Sequence, residues 1–285
     1  MNSMRFAGKV AVVTGGGSGL GRASATRLAE DGAHVVVVDI NGAAAEEVAQ
    51  ALPTSSIAIA ADVAVEADVD RYMREAVDAF GRVDLHHLNA GIFGKFANLP
   101  DVEVDDFDRV MNVNVRGQFL GLRGAFRQFA EQHTVGNVAI TASIASLTGS
   151  ADLLAYHTSK HGVLGLVHGG AVYGGPLGIR VNAVAPGIVP TELFAAAASS
   201  SGGKNDMERR ASTTPLRRAG TVEEIAGVVA FLLSEDSAYV TGQVIAADGG
   251  ASIVNTVRPS GGAGAWSTDS VDSSIYGDAM QEVIK

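Results

Sequence analysis

The sequence predicts an α/β protein: a doubly wound parallel sheet of seven strands with helices packed on both faces. Three observations carry this prediction. Short β-branched runs alternate with longer amphipathic stretches along most of the 285 residues. Gly or Pro stands where several of the helical stretches stop. A glycine-rich turn joins the first apolar run to the first amphipathic one.

Taken in order, Val10–Thr14 reads as a buried strand, followed by the glycine turn and a helix from Leu20 to Asp31 that Gly32 ends. Val35–Asp39 is a second strand, Ala43–Leu52 a helix stopped by Pro53, and Ser56–Ala61 a third strand. Glu66–Phe80 is a helix closed by Gly81, and Val83–Leu88 a fourth strand. Glu103–His133 is a long helix or helix pair, and Asn137–Thr141 a fifth strand. The remaining elements are a helix at Tyr156–Tyr173, a strand at Ile179–Val184, a helix at Val222–Leu233 and a strand at Gln243–Ala246. Residues 190–215, rich in Ala, Ser and Gly after a strand end, read as a substrate lid. Residues 1–251 are expected to form the main domain. Residues 252–285, with Gly261–Gly264, Trp266 and a short helix near Tyr276–Val283, read as a C-terminal extension, with Trp266 and Tyr276 either docked near the substrate mouth or part of a surface strap without a catalytic role.

Composition excludes several functions. Hydrophobic residues are 47% and charged ones 18%, enough apolar surface for a packed core. The charge balance of 21 − 31 = −10, without a basic run, argues against nucleic acid as a partner. With no cysteine there is no disulfide, thiolate nucleophile or Cys-held metal. The first nine residues lack the apolar core of a signal peptide, and Ile225–Leu233 is about half a membrane span, so a cytoplasmic protein without a membrane anchor is expected.

Two constellations carry chemistry. Thr14-Gly15-Gly16-Gly17-Ser18-Gly19-Leu20-Gly21 lies between strand and helix, where missing Cβ atoms let backbone amides reach a pyrophosphate at a helix N-terminus. Asp39 ends the second strand about 20 residues on, where a carboxylate accepts hydrogen bonds from an adenosine ribose. Neither Ile40 nor Asn41 beside it offers a cation for a 2′-phosphate, so NAD(H) is expected over NADP(H). Tyr156 and Lys160 stand at i and i+4 and share a helix face, and an ammonium beside a phenol favours phenolate, so the Tyr156 pKa is expected to fall. Such a pair is common on solvated helices. Ser143, thirteen residues earlier, and the glycine turn upstream turn the reading toward acid–base chemistry on an alcohol or ketone oxygen.

With these residues in place, the chain resembles the short-chain dehydrogenase/reductase family in its single-domain branch, over about Gly8 to Ser252. The glycine motif falls on Thr14, Gly15, Gly19 and Gly21, with Ser18 and Leu20 inside it. The adenine-side Asp falls on Asp62 with Val63 beside it, Asn89-Ala90-Gly91 matches the segment after the fourth strand, and Asp248-Gly249-Gly250 matches the C-terminal signature. Asn114, Ser143, Tyr156 and Lys160 match the catalytic tetrad, and Pro186-Gly187 with Val189 and Thr191 matches the segment that holds the nicotinamide carboxamide. The resemblance implies a Rossmann-type sheet of order 3-2-1-4-5-6-7 and hydride transfer between NAD(H) and a secondary alcohol or ketone. It further implies a water held by Asn114 that relays protons to Lys160, and a homotetramer or homodimer. The apolar lid residues Leu193, Phe194 and Ala195–Ala198 favour a carbon-rich or cyclic substrate. The alternatives are a 3-oxoacyl carrier reductase and a non-catalytic NAD-binding sensor or scaffold on the same fold.

Other features keep simpler readings. His157, His161 and His168 share a helix face, but no third ligand type accompanies them and no metal is expected. His86-His87 reads as a strand end. Gly162, Gly165, Gly169, Gly170, Gly174 and Gly175 weaken the helix that carries Tyr156, and close contact between subunits is the expected compensation.

Overall fold

The structure, a computed structural model, describes residues 4–150, 152–195 and 207–254. Trp266, Tyr276, the helix expected near them and the lid alanines 196–198 lie outside the described residues. Seven strands form one sheet: β1 (Val10–Thr14), β2 (His34–Asp39), β3 (Ser56–Ala60), β4 (Leu85–Leu88), β5 (Asn137–Thr141), β6 (Arg180–Pro186) and β7 (Val244–Ala247). All neighbours pair in parallel, in the order β3-β2-β1-β4-β5-β6-β7. The chain order reverses between β1 and β4, which opens a crevice at the carboxyl ends of the strands.

The strands are buried on both faces, and their alternation divides the core. Val10, Val12, Val36 and Val38 pack toward one helical layer, Ala11, Val13, Val35 and Val37 toward the other. The first layer holds α3 (Glu66–Phe80), α5 (Gln118–Glu131) and α6 (Leu154–Gly174); the second holds α1 (Gly19–Glu30), α2 (Gly42–Ala51) and α8 (Val222–Leu233). Local chemistry sets several ends. Asn41 accepts a hydrogen bond from the Ala44 N–H to cap α2, Gly81 closes α3 at φ +77°, and Thr221 and Glu224 form a reciprocal cap at the start of α8. Within the segment 190–215, Met207–Ser212 forms the short helix α7.

Four expectations are corrected or refined. The fourth strand begins at Leu85 rather than Val83: the Asp84 carboxylate, not a backbone carbonyl, takes the Val10 N–H and also pairs with Arg82, although the Asp84 N–H and carbonyl still bond to Val10 and Asn137. The long helix divides into α4 (Val104–Met111), a π-helical turn at Asn112–Gly117 and α5. His86 and His87 are not a strand end: they form the middle of β4, fully buried opposite Val12 and Val13 of β1. On α6, Gly170 and Gly174 need no second subunit. A Cβ there would lie 3.2 Å from Leu122 and Val181, and 2.8 Å from the Ile179 carbonyl, respectively. Only Gly165, Gly169 and the terminal Gly175 face open space. Among the described residues no helix is long and apolar enough to cross a membrane.

Candidate active site

The glycine turn closes over the carboxyl end of β1. Gly19 has φ +47°, and a Cβ on Gly21 would stand 1.9 Å from the Gly15 carbonyl oxygen, so the turn folds back on itself only because that atom is missing. Asn89 holds the turn from β4, its amide donating to the Thr14 and Gly15 carbonyls at 3.1 and 3.2 Å. Thr14 Oγ1 in turn accepts from the Asn89 and Ala90 N–H groups. Asp39 is fastened to the same turn: Oδ2 accepts from the Gly17 N–H and Oδ1 from the Asn41 N–H, both at 2.9 Å. Amides at a helix N-terminus, a close backbone surface and a fixed carboxylate suit a dinucleotide with its pyrophosphate at the turn.

A cleft of about 870 Å³ runs from this turn across the sheet edge. It is lined by Gly15, Ser18, Gly19 and Leu20, then by Asp39, Ile40, Asp62 and Val63, and on the far side by Asn89, Ala90 and Gly91. Ser143, Tyr156 and Lys160 line its other end with Pro186, Gly187, Val189 and Thr191. Two of the expected residues stand behind the wall. Gly21 lies under the turn, and Asn114 is buried in the π turn. The Asn114 side chain accepts from the Ile92 N–H and donates to the Ile92 carbonyl, both at 2.8 Å, and to Ser159 Oγ at 3.0 Å. Its amide thus clips the irregular segment that follows Gly91, and it has no donor left for a water.

Ser143 follows β5, where its Oγ accepts from the Ala145 N–H at 3.1 Å and keeps its own proton to donate. Lys160 Nζ donates to the Thr141 carbonyl at 2.8 Å and lies 5.6 Å from the centre of the Tyr156 ring. The expected fall in the Tyr156 pKa is corrected here. Burial pushes the phenol up to about 12, against a hydrogen-bonding pull downward from Ser143, and burial takes Lys160 down to about 8. Removing water from both groups outweighs what the ammonium can do for the phenolate. His157 and His161 each direct Nδ1 to a backbone carbonyl, of Thr148 and of His157.

Spacing did not reveal the aromatic wall beside Tyr156. Phe93 packs on it with ring centres 4.5 Å apart, Phe194 meets Phe93 edge-on at 6.4 Å, and the Arg210 guanidinium covers Phe194 at 5.6 Å. Phe96 and Leu153 complete that wall. The Phe93 loop is pinned by buried Asp106, which accepts from the Lys95 N–H at 2.7 Å and from Arg109. The lid base is tied to α1 by Glu192 and Arg22, 3.1 Å apart. Of this wall the sequence had offered Phe194 among the apolar residues after Thr191; the pair of phenylalanines soon after Asn89-Ala90-Gly91 was the further signal.

Comparisons with known proteins agree with this geometry. Residues 15–252 match the family model described as enoyl-(acyl carrier protein) reductase. Levodione reductase of Leifsonia aquatica is 40% identical over 256 residues, covering 87% of this chain and 96% of that protein. A crystal structure of levodione reductase superposes with a TM-score of 0.82 at 39% identity, covering 88% of this chain and all of that one. Cyclohexanol dehydrogenase of Acinetobacter sp. strain SE19 is 36% identical, covering 87% and 96% of the two chains. A 3-ketoacyl-(acyl-carrier-protein) reductase from Brucella melitensis, complexed with NADH, gives a TM-score of 0.80 at 35% identity and covers 87% and 99%. With a family model matching residues 15–252 and relatives of 36–40% identity covered almost end to end, the chain belongs to the short-chain dehydrogenase/reductase family.

Proposed function

We propose that the protein is an NAD(H)-dependent oxidoreductase that interconverts a secondary alcohol and a ketone, with an apolar or cyclic substrate. The observation that carries this reading is one cleft with the Asp39-fastened glycine turn at one end and buried Tyr156 and Lys160 with half-buried Ser143 at the other. Gly15, Ser18, Gly19, Leu20 and Gly21 would hold the pyrophosphate, Asp39 and Ile40 the adenosine ribose, and Asp62 and Val63 the adenine. Asn89, Ala90, Gly91, Pro186, Gly187, Val189 and Thr191 would hold the nicotinamide half. When bound, that ring supplies or accepts the hydride.

The chain's own residues then position the oxygen and move its proton. Tyr156 gives its phenol proton to the ketone oxygen in reduction and takes the hydroxyl proton in oxidation. Ser143 donates to the same oxygen with the proton that Ala145 leaves free. Lys160 spends one N–H on Thr141 and turns the others to the cleft. Because both N–H donors of the Asn114 amide are used, a relay water would donate to Asn114, at its backbone carbonyl in the π turn, rather than accept from its side chain.

Two observations support the finer parts. Among the described residues, the Lys and Arg side chains that line the cleft are Lys160 and Arg210, both at the substrate end, so none of these stands beside Asp39 to compensate a 2′-phosphate. The Phe93, Phe96, Leu153 and Phe194 wall favours a ring or hydrocarbon substrate, in keeping with likeness to a levodione reductase and a cyclohexanol dehydrogenase. A 3-oxoacyl thioester is the second reading, favoured by likeness to the Brucella reductase. We read residues 1–251 as the catalytic domain with a lid at 190–215, residues 252–285 as an extension, and the cytoplasm as the compartment. The open face of Gly165 and Gly169, beside exposed Val172 and Tyr173, is read as the contact of a homo-oligomer.

The test follows NADH and NADPH absorbance across cyclic, aryl and aliphatic ketones and an acetoacetyl thioester, with wild type and Tyr156→Phe. NADH should be preferred about 100-fold, cyclic ketones should lead, and the variant should lose about 10³-fold in kcat while binding NADH within twofold of wild type. Preference for NADPH overturns the reading of Asp39, preference for the thioester overturns the substrate class, and an active Tyr156→Phe overturns the mechanism.

A further inference from the structure

The middle of β4 carries a histidine whose burial has no packing reason. His87 is 1% exposed, between Val13 of β1 and Ala139 of β5, where an aliphatic side chain would fill the space without a polar atom to desolvate. Its neighbour His86 points to the opposite face and ends on Tyr72, far from the cleft. His87 instead meets Thr141: Nε2 lies 2.9 Å from Thr141 Oγ1.

The direction of this bond follows from counting protons. The Asn89 amide nitrogen donates to the Thr14 and Gly15 carbonyls, so the other end of the amide is the acceptor, and it faces Thr141 Oγ1 at 3.0 Å. Thr141 has one hydroxyl proton, and Asn89 Oδ1 takes it. Thr141 Oγ1 can then only accept from His87, so His87 carries its proton on Nε2. The other ring nitrogen agrees, since Nδ1 is buried without a partner and a lone pair is less costly there than an N–H. Burial and the neighbouring His86 hold the ring far below its ordinary pKa, near 3, which keeps it neutral at any working pH. Thr141 is also the residue whose carbonyl receives Lys160 Nζ.

We propose that His87 is a positioning residue for the dinucleotide site: its Nε2–H fixes the Thr141 hydroxyl toward Asn89, and Asn89 so held keeps the glycine turn closed. The inference rests on reading the cleft as a dinucleotide site. One chain of directed hydrogen bonds then links the floor of the sheet to the turn at Thr14 and Gly15, with Lys160 anchored at its middle link. His87 touches neither ligand nor reacting atoms and acts only through Thr141 and Asn89.

The test measures NADH affinity by fluorescence titration, together with melting of the ligand-free protein. Wild type should bind NADH; if it does not, the dinucleotide reading fails before this one is reached. His87→Leu should weaken NADH about fivefold while still melting cooperatively. His87→Gln, whose amide nitrogen stands where Nε2–H stood, should stay within twofold of wild type. Thr141→Val should weaken NADH about tenfold, and the double variant His87→Leu/Thr141→Val should be no weaker than Thr141→Val alone. Equal loss in the Leu and Gln variants, unchanged affinity in His87→Leu, or additive losses in the double variant overturn the proposal. Should His87→Leu fail to fold, Thr141→Val decides alone, and NADH affinity within twofold of wild type sinks the idea.

Discussion

At the end of the cleft that suits the dinucleotide, the wall is largely backbone: the glycine turn, the Asp39 carboxylate fastened to two N–H groups, and strand ends held by Thr14 and Asn89. At the other end it is side chain, with Phe93, Phe96, Leu153 and Phe194 brought together from three separate stretches. A backbone wall tolerates little change, because every residue around the turn constrains where the main chain runs. A wall of side chains on loops can be recut without moving the sheet, which is how one fold serves many substrates. The two ends should therefore respond to mutation separately.

The largest separation is expected at Asp39. Asp39→Ala removes charge-assisted hydrogen bonds to a ribose, worth about 1.5–3 kcal/mol, and should lower kcat/KM for NADH about 100-fold while the ketone KM moves less than twofold. Steady-state kinetics at saturating ketone, then at saturating NADH, read the two effects apart. A variant that keeps NADH within threefold of wild type would break the assignment. The converse change is smaller. Phe93→Ala strips one aromatic face from the substrate end and should raise the ketone KM about tenfold, in line with about 1.5 kcal/mol of lost apolar contact, with NADH affinity unchanged. Equal movement of both constants would mean that the ends are not independent.

Lys160 stands where the two ends meet, and its burial makes it visible to pH. Folded, its pKa is lowered by burial to about 8, below the ordinary lysine value of 10.5. Between those limits the unfolded chain binds the additional proton, so stability rises with pH, by up to about 1.4 kcal/mol per pH unit from this group. Tyr156, raised to about 12, opposes this only above pH 10, the ordinary tyrosine value. Denaturant unfolding of the ligand-free protein should thus show stability climbing between pH 8 and 10, and Lys160→Met should flatten the climb. An unchanged slope in the variant would show that Lys160 holds an ordinary pKa.

The same division decides what the sequence disclosed. The dinucleotide end was legible because its determinants are local: a strand that alternates by two, a turn whose glycines sit at fixed offsets, and an acidic residue at the next strand end. Tyr156 and Lys160 were legible for the same reason, one helical turn apart. The substrate wall was not, since Phe93 and Tyr156 stand 63 residues apart in sequence and meet at 4.5 Å only in the fold. The shift of Tyr156 was misjudged because i,i+4 spacing shows a neighbouring charge and hides the burial that outweighs it. The π turn at Asn112–Gly117 escaped because its weak helix formers, Asn, Val and Gly, do not tell a π turn from an α turn, and what holds it is the fit of Asn114 to the Ile92 backbone. His87 was placed at a strand end because nothing within its own segment points to Thr141, 54 residues on.

The smallest effect expected tests the joint between the ends. Arg22 on α1 and Glu192 at the lid base form an ion pair between the dinucleotide turn and the lid, and the turn packs closely there, a Cβ on Gly19 coming 3.4 Å from Glu192 Oε2. Both side chains are more than half exposed, at 53% and 57%, so solvent screens the pair and its worth is about 0.2–1 kcal/mol. Glu192→Gln should therefore change the KM for NADH and for ketone by less than about threefold each, and the difference from wild type should vanish in 1 M salt, where the screening length falls to about 3 Å. A tenfold or larger change that survives salt would mean that the lid base positions the turn through its hydrogen-bonded shape rather than its charge. The backbone end would then extend beyond the sheet edge into the lid, and the separation of the two ends would have to be redrawn at Thr191.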